Sequence, residues 1–203
     1  MSRKRVAILI SGEGTNMAAL IRAMQASNYP AEPVLVLSNN PAAPGLEKAR
    51  EMGVEAIGLD HRDFPDRTAF DAEMNRALTG AEADIVACAG FMRIMTANLV
   101  RAWEGRMLNI HPSLLPVFKG IDTHIRALAA GVAIHGCTVH EVVPELDSGR
   151  ILGQAAVPVV PGDTFETLGK RVQATEHRLY PAVLAAFARN PLKARAEPLA
   201  LLC

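Results

Sequence analysis

VAILISGEGTNMAALIRAM, residues 6–24, decides the architecture. Residues 6–10 form an unbroken apolar run, SGEGTN (11–16) carries glycines at 12 and 14, and Met17, Leu20, Ile21 and Met24 then recur at helical spacing. An apolar run without alternation reads as a strand buried on both faces. A helix following it directly reads as the first step of a parallel βα sheet.

The same alternation continues outward. PVLVLS (33–38) reads as a second strand, PGLEKAREMG (44–53) as a helix closing at Gly53, and VEAIGL (54–59) as a third strand. A helix over 67–78 precedes the apolar ADIVACAG (83–90), and a helix over 97–103 precedes the strand-like RMLNI (106–110). Beyond about residue 115 the pattern changes. A helix near 123–130 ends at Gly131, and AIHGCTVHEVV (133–143) and ILGQAAVPVV (151–160) are joined by PELDSGR, which is too short for a crossover helix. That pair is expected to be antiparallel, with Pro158 marking an edge or an irregular end. A last helix begins at an Asp163–Thr164 cap and runs to about 188, with Pro181 expected to kink it. The tail NPLKARAEPLALLC shows little pattern. The expected fold is α/β, an open doubly wound, mostly parallel, Rossmann-like sheet with an antiparallel carboxyl-terminal extension and a long carboxyl-terminal helix.

Composition narrows the function. Of 203 residues half are hydrophobic, and 21 Lys plus Arg balance 21 Asp plus Glu, so no basic surplus argues for nucleic acid or an anionic membrane as partner. The basic start MSRKR precedes an apolar run too short for a signal peptide, and no stretch is long enough to span a bilayer. Three widely spaced cysteines, Cys88, Cys137 and Cys203, suggest free thiols in a reducing compartment, with cytoplasm as the expectation.

The loop at 11–16 ends at a helix amino terminus, where free N–H groups and the helix dipole favour an anion. The third glycine of a dinucleotide fingerprint falls at Met17, and the Lys-Ser/Thr of a P-loop is missing. A single phosphate or an ordinary turn remains, with Thr15 or Asn16 capping the helix. In MLNIHPSLLP (107–116), Asn109 and His111 are two apart and so share one side of a strand, and Pro112 keeps His111 extended. An amide donor beside a titratable ring at the carboxyl end of a parallel strand suits an oxygen that gains charge during carbonyl chemistry. A structural polar pair is the alternative. Asp147, in ELDSGR, is by itself ordinary turn chemistry; near His111 its carboxylate would favour the imidazolium. Spacing alone does not bring the two together. In HGCTVH, His135 and Cys137 share a strand face while His140 points away, so no metal site is expected. Cys88 reads as a small buried apolar residue.

SGEGTN (11–16), AGFMRIM (89–95), LNIHPSLLP (108–116), HGCTVH (135–140) and ELDSG (145–149), in this order and spacing, resemble the phosphoribosylglycinamide formyltransferase family, within the formyltetrahydrofolate-using hydrolases and transferases. The resemblance runs from about 5 to 188. It implies formyl transfer from 10-formyltetrahydrofolate, a co-substrate, to the amine of glycinamide ribonucleotide, without a metal or a covalent enzyme intermediate. It assigns catalysis to Asn109, His111 and Asp147. Ribonucleotide binding falls to Gly14, Thr15, Asn16, Gln173 and Glu176, and folate binding to Arg67, Met92, Arg93, Ile94 and Met95, with Asn109 beside the folate as well. Glu176 also lies on the apolar line of its helix, between Val172 and Leu179, where a carboxylate needs a partner. Ser11 and Ser113 are expected to serve loops rather than act as nucleophiles.

One departure is Arg150, where the family commonly has proline; it puts the shape of the folate-facing loop in question. The implied organisation is one domain, 1–203, with a phosphate-binding half (1–110), a catalytic and folate half (111–188) and a tail (189–203). The partners implied are small molecules, with a homodimer left open. Three rivals stand. Methionyl-tRNA formyltransferase and formyltetrahydrofolate deformylase normally carry additional domains for which this chain is expected to have no room. The third is a non-catalytic phosphometabolite-binding module.

Overall fold

The computed structural model describes residues 2–202, so Cys203 lies outside the described residues. The strands are β1 (Lys4–Ile10), β2 (Ala31–Ser38), β3 (Ala56–Gly58), β4 (Ile85–Cys88), β5 (Met107–His111), β6 (Ile134–Glu141), β7 (Ile151–Pro158) and β8 (Leu199–Leu202). The helices are α1 (Thr15–Met24), α2 (Pro44–Glu51), α3 (Arg67–Gly80), α4 (Ala97–Ala102), α5 (Thr123–Ala129), α6 (Phe165–Arg189) and α7 (Pro191–Ala196). The strands are hydrogen-bonded in the order β3-β2-β1-β4-β5-β6-β7-β8. The α/β class, the mostly parallel sheet, the antiparallel β6–β7 pair and the long α6 are all as the sequence led us to expect. The chain divides into two compact units, the first ending at Asn109 and the second starting at Ile110.

In the first unit β1 pairs in parallel with β2 and β4, and its residues Val6, Ala7, Ile8, Leu9 and Ile10 are completely buried. Met17, Leu20, Ile21 and Met24 of α1 are likewise buried, so the apolar stripe read from the sequence is the packed face. β2 starts earlier than the apolar run suggested, at Ala31, and contains Pro33. The β1–β2 register shifts there, between Val6 and Ala7, and β3 pairs only with the far end of β2, from Val36. Proline is tolerated where the strand is irregular and locally an edge. Cys88 is buried, and burial pushes its thiol up to about 12, which suits packing rather than chemistry.

In the second unit β7 lies between β6 and β8, but among the described residues β8 pairs only with Gly153–Ala156, so Pro158 stands past that pairing, where the strand is locally an edge. Pro158 is the last residue of β7, paired with Ile134 on β6, and the next N–H, that of Val159, still donates to the Ala133 carbonyl at 2.9 Å, so the missing N–H falls on the side away from β6. The apparently patternless tail is ordered as well. The Asn190 side chain accepts the Lys193 N–H at 3.0 Å and caps α7, Pro191 takes the first helical position, and β8 runs parallel to β7. A helix of six residues and a strand of four are too short for periodicity to reveal. The Thr164 side chain caps α6 in a capping box with Thr167, and the helix runs unbroken across Pro181, between the buried Tyr180 and Val183. Among the described residues no helix is long and apolar enough to cross a membrane.

Candidate active site

The loop after β1 is built by backbone approach. Gly14, not Thr15 or Asn16, is the N-cap of α1, in the left-handed region at φ 68°. Glycine reaches that conformation without a Cβ penalty, and the turn needs it. The Gly45 N–H donates to the Gly12 carbonyl at 3.0 Å, and a Cβ on Gly45 would stand 2.7 Å from that oxygen. Gly45 is therefore part of the loop, which local reading of SGEGTN missed because the contact comes from α2. The Ser11 hydroxyl donates to Asn39 Oδ1 at 2.5 Å and accepts the Met92 N–H at 2.8 Å, a loop-organising role. Asn16 is buried at the start of α1, and Thr15 is half-buried.

The same hydroxyl ties down the segment after β4. There Met92 and Ile94 are 73% and 65% exposed, and the Arg93 guanidinium lies 5.2 Å over the Phe70 ring. Two neighbouring large apolar side chains left uncovered beside a strand end suit a flat apolar ligand. The buried Asp71 carboxylate, unmarked by the sequence reading, accepts the Thr96 N–H at 2.6 Å and fixes the far end of the segment. Arg67 opens α3 and is exposed; Gln173 (exposed) and Glu176 (buried) stand one turn apart on α6.

β5 stays extended through His111, as Pro112 requires, so Asn109 and His111 project to one side. The His111 ring is buried. Its Nε2–H donates to the Phe118 carbonyl at 3.0 Å, and Nδ1 lies 3.4 Å from Asp147 Oδ2. A carbonyl on one nitrogen and a carboxylate on the other are both acceptors, which a doubly protonated ring satisfies at both ends. Asp147 reaches this position from a turn at φ 48°, a left-handed conformation that aspartate tolerates better than most residues. Its Oδ2 also accepts the Gly120 N–H at 2.8 Å, while Lys119 Nζ donates to Ser148 Oγ at 2.6 Å, stitching two loops together. Behind the turn, a Cβ on Gly149 would fall 1.7 Å from the Glu141 carbonyl oxygen, so only glycine lets the turn lie against β6. The Arg150 carbonyl accepts the Glu141 N–H at 2.9 Å.

Sequence reading missed the histidines around this pair. His140 donates from Nδ1 to the Glu141 carbonyl at 2.8 Å and places Nε2 3.7 Å from Asp147 Oδ1. His124 Nδ1 and His135 Nε2 are 3.1 Å apart, with rings edge to face and Phe118 edge-on to His135. Burial is the main cause holding all three below the usual histidine range, His135 to about 4, with neighbouring imidazoles adding to it. Only the HGCTVH spacing hinted at any of them, and it spoke to metal rather than to a neutral hydrogen-bonded cluster.

These lowered values fix the sign of a stability effect. Above the unfolded histidine value of 6.5 neither state binds the extra proton, so the contribution is fully present. Between 6.5 and about 4 the unfolded chain takes up protons that folded His135 refuses, so stability falls as pH falls. The expected loss by pH 4.5 is on the order of 2 kcal/mol, read as a drop in the urea midpoint. Replacing His135 by glutamine should flatten the curve in this window. A flat wild-type curve from pH 7 to 4.5 would contradict the buried-neutral assignment.

Comparison with known proteins agrees with this arrangement. The formyl transferase family matches residues 4–184. The chain is 47% identical over 197 residues to the trifunctional purine biosynthetic protein adenosine-3 of Drosophila pseudoobscura pseudoobscura, covering 96% of this chain but 14% of that protein. It thus spans only a small part of the trifunctional relatives it matches. It is 42% identical to the phosphoribosylglycinamide formyltransferase of Escherichia coli (strain K12), covering 93% of this chain and 89% of that one. The crystal structure of phosphoribosylglycinamide formyltransferase from Brucella melitensis superposes with a TM-score of 0.89 at 50% identity, covering 92% of this chain and 96% of that one.

Proposed function

The chain belongs to the formyl transferase family, and from that premise we propose that it transfers the formyl group of 10-formyltetrahydrofolate to the amine of glycinamide ribonucleotide, a one-carbon step of purine synthesis. The observation that most supports this reading is the approach of Asp147 to His111 at 3.4 Å, beside Asn109 on the same strand. The uncharged substrate amine attacks the formyl carbon. The Asn109 amide donates to the formyl oxygen, and the protonated His111 ring, its N–H groups held by protein acceptors, stabilises the oxyanion through its positive charge. The new C–N bond forms first, placing the charge on the formyl oxygen, and collapse of that tetrahedral adduct breaks the bond to the folate nitrogen. Asp147, with a water, carries the proton shed by the amine to that departing nitrogen.

Gly14, Thr15 and Asn16 hold the ribonucleotide phosphate at the α1 amino end, and Gln173 and Glu176 hold its remaining polar groups. Arg67, Met92, Arg93, Ile94 and Met95 border the folate; the exposed Met92 and Ile94 are consistent with that role. In this reading 1–110 is the phosphate-binding half, 111–188 the catalytic and folate half, and 189–203 the tail. The substrates are small molecules, and no metal enters the reaction. Two buried free thiols are in keeping with a reducing cytoplasm.

The test has two arms: 10-formyltetrahydrofolate with the protein, with and without glycinamide ribonucleotide. Tetrahydrofolate is expected only when the ribonucleotide is present. Release without it would identify a deformylase, and no release in either arm would leave a binding module.

A further inference from the structure

The tail beyond residue 190, to which neither periodicity nor family resemblance gave a role, reaches the candidate site. Arg195, on α7, donates from Nε and Nη2 to Glu141 Oε1 at 2.8 and 2.6 Å, with its guanidinium 5.6 Å over the Phe187 ring. Both side chains are largely shielded, at 23% and 13% exposure, so the pair is held in a defined geometry rather than fluctuating in solvent. Glu141 is the last residue of β6, and its backbone does three things at the site. Its carbonyl accepts the His140 Nδ1–H, its N–H donates to the Arg150 carbonyl, and it forms the wall against which Gly149 rests. His140 in turn presents Nε2 to the Asp147 oxygen that does not face His111.

We propose that Arg195 is a positioning residue for formyl transfer: by clamping Glu141 it fixes the His140 ring and the 147–149 turn, and so the angle at which the Asp147 carboxylate meets His111. This rests on the function proposed above. The clamp acts through geometry: the Arg195 guanidinium is directed at Glu141 Oε1, and Glu141 acts on the site through its backbone. An error in the carboxylate's position degrades the transfer step more than binding, because alignment of the reacting groups matters most in the transition state. The groups that face His140 are Asp147, His111, Lys119 and Glu141, so a shift of its ring alters a shared electrostatic environment.

In the formyl-transfer assay Arg195→Met is expected to lower kcat about tenfold, with KM for each substrate within about twofold. The pH profile of kcat is expected to move with it, and Arg195→Lys to restore part of the loss, since an ammonium keeps the charge but loses the two-pronged donation. Glu141→Gln should reproduce the defect, and the double variant should be no worse than either single one. Lys193→Met, on the same helix as Arg195, breaks the exposed pair of Lys193 with Glu197 just past the helix end; it is the control and should match wild type. A kcat for Arg195→Met within about twofold of wild type, with an unchanged pH profile, overturns the proposal, as does full additivity of the double variant. If Arg195→Met does not fold, Arg195→Lys and Glu141→Gln decide on the same criteria. A wild-type protein without transfer activity overturns the proposed function, not the clamp. The clamp is then read from the His140 imidazole resonances, which must differ between wild type and Glu141→Gln, and identical spectra overturn it.

Discussion

His111→Ala is expected to lower the rate of formyl transfer by about 10²–10⁴-fold while the dissociation constant for glycinamide ribonucleotide stays within about threefold. The ring sits at the end of β5 between two acceptors, the Phe118 carbonyl and the Asp147 carboxylate. Its contribution to binding is therefore small, since its hydrogen bonds are spent on the protein. In the proposed mechanism its contribution to the transition state is large, because the ring meets charge that appears only as the amine attacks. Alanine also takes the ring donor from the Phe118 carbonyl, at about 1–3 kcal/mol of stability, so its lost activity has a second explanation. His111→Gln removes that ambiguity. The glutamine amide keeps a donor in the buried space but neither carries charge nor exchanges a proton at neutral pH. Its turnover should fall as far as that of the alanine variant while its thermal midpoint falls less. A glutamine variant that keeps more than about a tenth of wild-type turnover, at a matched folded fraction, would remove the imidazole from the chemistry.

What the sequence disclosed and what it withheld divide along the range of the interactions. Buried parallel strands announce themselves because every residue from Val6 to Ile10 obeys one rule, burial on both faces. The position of His111 is legible for a similar reason: Pro112 restricts the backbone of its neighbour, and two-residue periodicity does the rest. The features that stayed hidden are set by partners far along the chain. Gly45 looks like an ordinary residue near the start of a helix until its N–H is seen on the Gly12 carbonyl. Arg195 looks like one more surface charge until it meets Glu141. The Asn190–Pro191 step was readable, a side-chain cap followed by proline at the first helical position, but the brevity of α7 masked it. Asp147 is the hardest case. Its turn chemistry reads as structural, its left-handed backbone is invisible in sequence, and family resemblance rather than spacing associated it with His111.

Asp147→Asn is the substitution that separates the carboxylate's charge from its scaffolding. The amide is nearly isosteric and keeps an oxygen that accepts the Gly120 N–H, so the loop at 118–120 and the turn at 147–149 stay joined. Asp147→Ala loses that acceptor and leaves the amide N–H unpaired, at an added cost of about 1–3 kcal/mol. What the asparagine variant loses is the negative charge 3.4 Å from His111 Nδ1 and, in the proposed mechanism, the capacity to pass a proton between amine and folate nitrogen. Turnover is therefore expected to fall by about 10²–10⁴-fold with ribonucleotide affinity preserved. The two variants should differ in urea midpoint but hardly in kcat. Asp147→Glu serves as the geometric control. It keeps the charge but carries it one methylene too far into a buried space, and should retain more activity than asparagine only if charge outweighs placement. Full activity in the asparagine variant would reduce Asp147 to a structural tie between two loops, and His111 would then have to find its proton partner elsewhere.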